Sequence, residues 1–299
     1  MPHLLGLHHI TAIAGDPERN VLFYNRTLGL RLVKVTVNFD DPGSYHLYYG
    51  SGKGSPGSLL TFFPWPRAHA GRHATGETGA IALSIPEGSQ DFWKSRLREK
   101  QIAFEAVSPE GGSKKLILDD PDGMKLHLVE AAPLDAALRW EEGPVSADHA
   151  IHGINHVVLD IAENDVTASR QLLETQLGLN GGASRLAEIA SAGSRKRGVM
   201  GPGVVHHIAW RAADDAEQAA WRTQLLDAGL HVTPVMDRQY FHSIYFREPG
   251  GVLYEIATDN PGFLTDETYG ELGKHLKLPP WLEAHRSTIE AALPPLPKD

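Results

Sequence analysis

Short apolar runs alternate with amphipathic stretches along this chain, and the pattern occurs four times. The segment from Gly6, GLHHITAIAGDPERNVLFYNRTLGL, opens as a strand, continues as an amphipathic helix and closes on Gly29. The segment from Gly153, GINHVVLDIAENDVTASRQLLETQLGL, repeats it, so that His9 falls on His156 and Leu28-Gly29-Leu30 on Leu177-Gly178-Leu179. A second pair runs from about Gly79 to Ala131 and from about His207 to Asp259. At one offset Trp93 falls on Trp221, Asp120-Pro121-Asp122-Gly123 on Glu248-Pro249-Gly250-Gly251, and His127 on Glu255. Each unit reads as a strand, a helix, then strands joined by turns, which predicts an α+β protein of four repeated modules.

Three residues carry candidate chemistry. His9 and His207 each end a His-His doublet in a strand-like run, and Glu255 is the one carboxylate in the apolar run GGVLYEIAT. Two imidazoles and a carboxylate form the facial triad that holds a divalent metal and leaves positions open. A carboxylate in a buried strand also requires a partner. The repeat sorts the units: Gly79 takes the position of His207 and His127 that of Glu255, so the second unit has lost this set and the fourth retains it. The remaining imidazole comes from His9 or from His156.

The LHHIT start, the HHIAW segment, and Arg238, Tyr245 and Glu255 in order resemble the hydroquinone-type ring-cleaving dioxygenases of the vicinal-oxygen-chelate (glyoxalase/extradiol dioxygenase) superfamily. The resemblance covers about Leu5 to Phe263. It implies βαβββ modules in two domains, with metal on His9, His207 and Glu255, the first chosen over His156 by the LHHIT match with Thr11. It implies Fe(II), with Mn(II) as the alternative, and a small aromatic diol and O₂ as substrates. It also implies catalytic roles for His206, Tyr245, Arg238, His8 and Thr11, with His8 and His206 orienting ligands or moving protons. Neighbours on a regular strand face opposite sides, so those two roles require a bend or a strand end. Arg238 would balance an anionic ring, and His242 is a further candidate proton donor. His46 and seven others of the 16 histidines read as structural or exposed, and the aromatics from Tyr45 to Trp65 as pocket wall or core. Two other classes stay open. One is a glyoxalase-type isomerase or lyase, which usually requires a second carboxylate; the other is a non-enzymatic binding protein of the same fold.

Composition narrows the rest. A chain of 299 residues accommodates two domains. A net charge of −9 argues against nucleic acid. Without cysteine there are no disulfides or thiolate metal sites. No long apolar run predicts a membrane span or secretory signal, so a cytoplasmic location is expected. Residues 134–150 read as a linker between domains at 1–133 and 151–265, and Arg195-Lys196-Arg197 as a solvated loop. The tail, 266–299, carries a helix-like centre from Trp281 to Leu293 and is expected to dock on the body or on a neighbouring subunit of a homo-oligomer.

Overall fold

A computed structural model describes residues 2–108, 114–132, 140–179, 186–194 and 198–297. The basic cluster 195–197 and residues 133–139, which hold the first part of the expected linker, lie outside these. The first unit comprises β1 (Leu7–Ala14), α1 (Pro17–Val21), β2 (Arg31–Asn38), β3 (Asp41–Gly50) and β4 (Leu59–Pro64). The second comprises β5 (Glu77–Ile85), α2 (Gln90–Glu99), β6 (Phe104–Val107), β7 (Lys115–Asp119) and β8 (Lys125–Glu130). The third shows β9 (Gly153–Ile161), α3 (Val166–Arg170) and β10 (Ala187–Ser191) among the described residues. The fourth comprises β11 (Val205–Ala212), α4 (Asp215–Asp227), β12 (Met236–Asp237), β13 (His242–Arg247) and β14 (Leu253–Thr258). The α+β fold of repeated modules is thus present.

Local chemistry repeats with the topology. α1 and α3 each pass into a π-helical turn, Leu22–Thr27 and Gln171–Gln176. The chain then leaves through Gly29 at φ 73° and Gly178 at φ 67°, the left-handed exit that glycine takes most readily. A Cβ on Gly29 would also lie 2.6 Å from Val145. Trp93 on α2 and Trp221 on α4 both anchor their helices in the core. In the matching turns, Asp120 accepts from the Met124 amide and Glu248 from the Val252 amide.

The units do not pair in sequence order. Among the described residues, one sheet of eight strands runs β12-β13-β14-β11-β1-β4-β3-β2, and a sheet of six runs β10-β9-β5-β8-β7-β6. Antiparallel contacts β1–β11 and β5–β9 therefore join the first unit to the fourth and the second to the third. Residues 134–150 separate halves of the sequence but not the sheets. β1 lies at the centre of the larger sheet and is buried along its whole length.

Sheet register corrects one equivalence. Ala82 pairs with His127 as Ala209 pairs with Glu255, so Ala80, and not Gly79, stands in the place of His207. The cause is a one-residue difference in length between strand and helix: Trp93 lies 11 residues after Ala82, whereas Trp221 lies 12 after Ala209. The loss of the imidazole from the second unit is unchanged.

The tail docks on its own chain. Leu278 and Ile289 are buried against Val37, and the Tyr45 hydroxyl donates to the Pro294 carbonyl. Its helix, α5 (Arg286–Ala292), is shorter than the expected Trp281–Leu293. No helix among the described residues is long and apolar enough to cross a membrane.

Candidate metal centre

Three neighbouring strands of the larger sheet carry the three candidate ligands. His9 on β1 pairs with Ala209 on β11, and Ala209 pairs with Glu255 on β14. His207 lies two residues before Ala209 and so shares its face. The Ala209 methyl group between His9 and Glu255 leaves the space that their side chains fill. His9 Nε2 lies 3.3 Å from His207 Nε2 and 3.5 Å from Glu255 Oε2, and His207 Nε2 lies 2.9 Å from the same oxygen. All three residues are buried, and among the described residues they form the one group of this kind with metal-ligand spacing.

Bulges set the orientation of both imidazoles. Pairing steps from Leu7 to His9 over His8, and from His207 to Val205 over His206. Each skipped residue is the extra one of a β-bulge, which is the bend that the doublets require. His8 Nδ1 consequently reaches His9 Nδ1 at 2.9 Å, and His206 Nδ1 reaches His207 Nδ1 at 2.7 Å. His8 Nε2 lies 3.1 Å from the Thr258 carbonyl, which can only accept. Neutral His8 therefore carries its hydrogen on Nε2 and accepts from His9 Nδ1–H. That leaves the His9 Nε2 lone pair facing Glu255. The same direction in the second doublet frees His207 Nε2 and leaves a hydrogen on His206 Nε2.

Electrostatics favour an ionised Glu255 carboxylate and neutral His8 and His206 imidazoles. Burial, reinforced by His9, lowers His8 to about 3, and burial with His207 lowers His206 to about 3. Burial also lowers His207. Burial alone would raise the Glu255 carboxyl, but His9 and His207 outweigh it and hold it well below the usual carboxylate range. Ser243 donates to Glu255 Oε1, while Oε2 has no hydrogen-bond donor of acceptable geometry. A buried, unsatisfied carboxylate oxygen facing two nitrogen lone pairs fits a divalent cation.

A cavity of about 290 Å³ opens onto this face, a size suited to a single substituted ring. Tyr245 and Arg238 line it, the guanidinium Nε donating to the Tyr245 hydroxyl at 3.2 Å. Burial, then the nearby Glu255 charge, raises the Tyr245 phenol. Phe39, Phe63 and Phe241 supply apolar wall, and His206 and Tyr48 supply polar groups. The expected set is thus brought together with three exceptions. Thr11 lies behind the wall, its hydroxyl 2.8 Å from that of Thr61. His8 holds His9 from behind and faces a separate cleft of about 1200 Å³. His242 turns away to Asp215 at 2.6 Å.

His46 corrects the reading of that residue as merely structural. It lines the cavity, with Nδ1 2.8 Å from the Tyr48 hydroxyl and Nε2 2.9 Å from that of Thr61. Burial, reinforced by His9 and His207, lowers it well below its usual value. His156 lies on the smaller sheet, bonded to Asn155 at 2.7 Å.

A family model described as the Glyoxalase/Bleomycin resistance protein/Dioxygenase superfamily matches residues 6–128 and again 130–256. The chain belongs to this superfamily. It is 44% identical over 304 residues to the provisionally named ring-cleaving dioxygenase MhqE of Bacillus subtilis (strain 168), covering 97% of this chain and 99% of that protein. It is 32% identical over 305 residues to the chlorohydroquinone/hydroquinone 1,2-dioxygenase of Sphingobium indicum, covering 95% of this chain and 94% of that one. A crystal structure of a provisionally assigned dioxygenase from Bacillus subtilis superposes with a TM-score of 0.92 at 41% identity, covering 99% of each chain.

Proposed function

We propose that this member of the superfamily is a ring-cleaving dioxygenase of the extradiol type, incorporating both atoms of O₂ into a hydroquinone- or catechol-type ring. The observation that carries the proposal is the convergence of His9 Nε2, His207 Nε2 and the unsatisfied Glu255 Oε2 beneath an aromatic-walled cavity. The full-length similarity to the hydroquinone dioxygenase supports the substrate class. These three residues would hold Fe(II), or Mn(II), which supplies open coordination positions and redox chemistry with O₂. Two neutral imidazoles and one carboxylate leave such a site at a charge of about +1, which favours a substrate bound as its anion.

The other side chains have separable tasks. Phe39, Phe63 and Phe241 exclude water and contact the ring faces. Arg238 offers a fixed positive charge to the ring oxygen. Tyr245 and His206 present O–H and N–H groups to the cavity and move protons to and from the ring hydroxyl. His8 acts through His9, holding its tautomer.

Oxygen uptake by Fe(II)-loaded protein with a panel of hydroquinones and catechols tests the reading. Consumption of O₂ with loss of the aromatic absorbance is expected, and it should vanish in His9→Ala. Full metal loading with no uptake on any diol would overturn the assignment.

A further inference from the structure

Arg238 already has an anionic partner. Its Nη1 lies 3.0 Å from Asp40 Oδ2. The two residues come from distant parts of the larger sheet. Asp40 occupies the turn between β2 and β3 at one edge, and Arg238 follows β12 at the other. The ion pair therefore ties the two ends of the curled sheet together across the cavity, which both residues line.

The partners are unequal. The Asp40 side chain is 64% exposed, whereas that of Arg238 is 17% exposed and committed through Nε to Tyr245. Both lips are built. Asp40 sits in a turn closed by its own amide donating to Asn38 Oδ1 at 3.0 Å. Its neighbour Phe39 packs on the tail cluster and meets the Trp281 ring edge-on at 5.7 Å. On the other lip Gln239, next to Arg238, lies at φ 66°, a strained conformation for a residue other than glycine. The turn is thus held at its base, while the carboxylate at its tip faces water. An exposed ion pair is weak and yields to a better partner.

We propose that Asp40 is the resident counter-ion of Arg238, and that a ring ligand bearing an anionic oxygen enters the cavity by displacing it. Asp40 then sets affinity: it lowers binding of anionic ligands by competition and leaves neutral ones unaffected. The inference rests on the dioxygenase reading for its choice of ring ligand, but its test consumes no oxygen.

Benzoate and benzamide, equal in shape and different in charge, are titrated calorimetrically into full-length wild-type protein and Asp40→Asn. Benzoate should bind Asp40→Asn roughly 3–5-fold more tightly, the scale of one exposed ion pair, and the gain should shrink at high salt. Benzamide should bind both proteins equally. An equal gain for both ligands would make Asp40 a steric cover, and weaker benzoate binding would make it a support for Arg238. Either result overturns the proposal. Absent oxygen uptake with the benzoate effect intact would instead overturn only the dioxygenase reading.

Discussion

His8 Nδ1 lies 2.9 Å from His9 Nδ1, a contact between sequence neighbours that a regular strand would forbid. The bulge at His8 makes it, and the bulge at His206 makes its counterpart on β11. The fold thus sets both imidazoles of the candidate centre with the same device: a histidine skipped in the strand pairing that takes a hydrogen from the next one. The Nε2 lone pairs of His9 and His207 are thereby oriented by the chain itself, as a metal ligand requires.

The first prediction separates His9 from its competitor. His9→Ala should lose bound metal, because two remaining ligands do not replace a third. His156→Ala should retain it, since His156 belongs to the smaller sheet. In a metal-bound structure, ligand distances of about 2.0–2.3 Å from His9, His207 and Glu255 are expected. Metal content measured on both variants decides, and loss only in His156→Ala would relocate the site.

A second prediction concerns the cavity groups. His206→Phe and Tyr245→Phe should keep metal and slow turnover roughly 10²-fold or more, the usual scale for a positioned proton-transfer group. Arg238→Leu should chiefly raise KM, because its charge acts on the bound anion. Wild-type kcat and KM in all three would remove these roles and leave the ligands standing.

The third concerns the space between the ligands. Ala209 pairs with both His9 and Glu255, and its methyl group shares their buried face. Ala209→Leu should fill that space and abolish metal binding. Overpacking should cost about 1–3 kcal/mol, short of what unfolds an ordinary domain. Circular dichroism should report a native fold, while metal analysis reports an empty site. A variant that stays loaded would show that Ala209 does not set the ligand spacing.

The legible parts of this molecule are those with a sequence period. The repeat exposed the modules, and within it the doublets and Glu255 marked the residues that converge on one face. Four features had no such signal. Which units share a sheet depends on the β1–β11 and β5–β9 contacts, which link distant segments. The shift from Gly79 to Ala80 comes from a one-residue difference between strand and helix, which a single ungapped offset hides. Phe39, Asp40 and Phe241 reach the cavity from turns, where hydrophobic periodicity is silent. His46 lies on β3 among aromatics that read equally as core, and its contacts with Tyr48, Phe63 and Thr61 become visible only in the packed sheet.

The fourth prediction tests how the tail is attached. The Lys34 side chain is fully buried, with its ammonium 2.6 Å from Asp266 and paired also with Glu267. Lys34→Met keeps the apolar stem but leaves two carboxylates without their cation. A loss of about 3–5 kcal/mol is expected, as for a broken buried pair. The segment after Phe263 should also become sensitive to protease. Unchanged denaturation midpoint and proteolysis would mean that the apolar cluster alone holds the tail.

The last prediction concerns stability against pH, at a turn of the smaller sheet. Asp120 is buried in the turn between β7 and β8, and burial raises its carboxyl from 3.8 to about 6. Three hydrogen bonds oppose that shift: the Asp122 and Met124 amides donate to Oδ1 and the Tyr24 hydroxyl to Oδ2, each at 2.8 Å. A pKa higher in the folded than in the unfolded state gives stability that is fully present below 3.8 and lost as pH rises through about 6. A rise of about two units corresponds to about 3 kcal/mol. Asp120→Asn keeps the acceptor for both amides and carries no charge, so it lacks this loss. The Tm of Asp120→Asn relative to wild type should therefore climb between pH 4.5 and pH 7. A difference that stays constant across that range would show that the hydrogen bonds cancel the cost of burial.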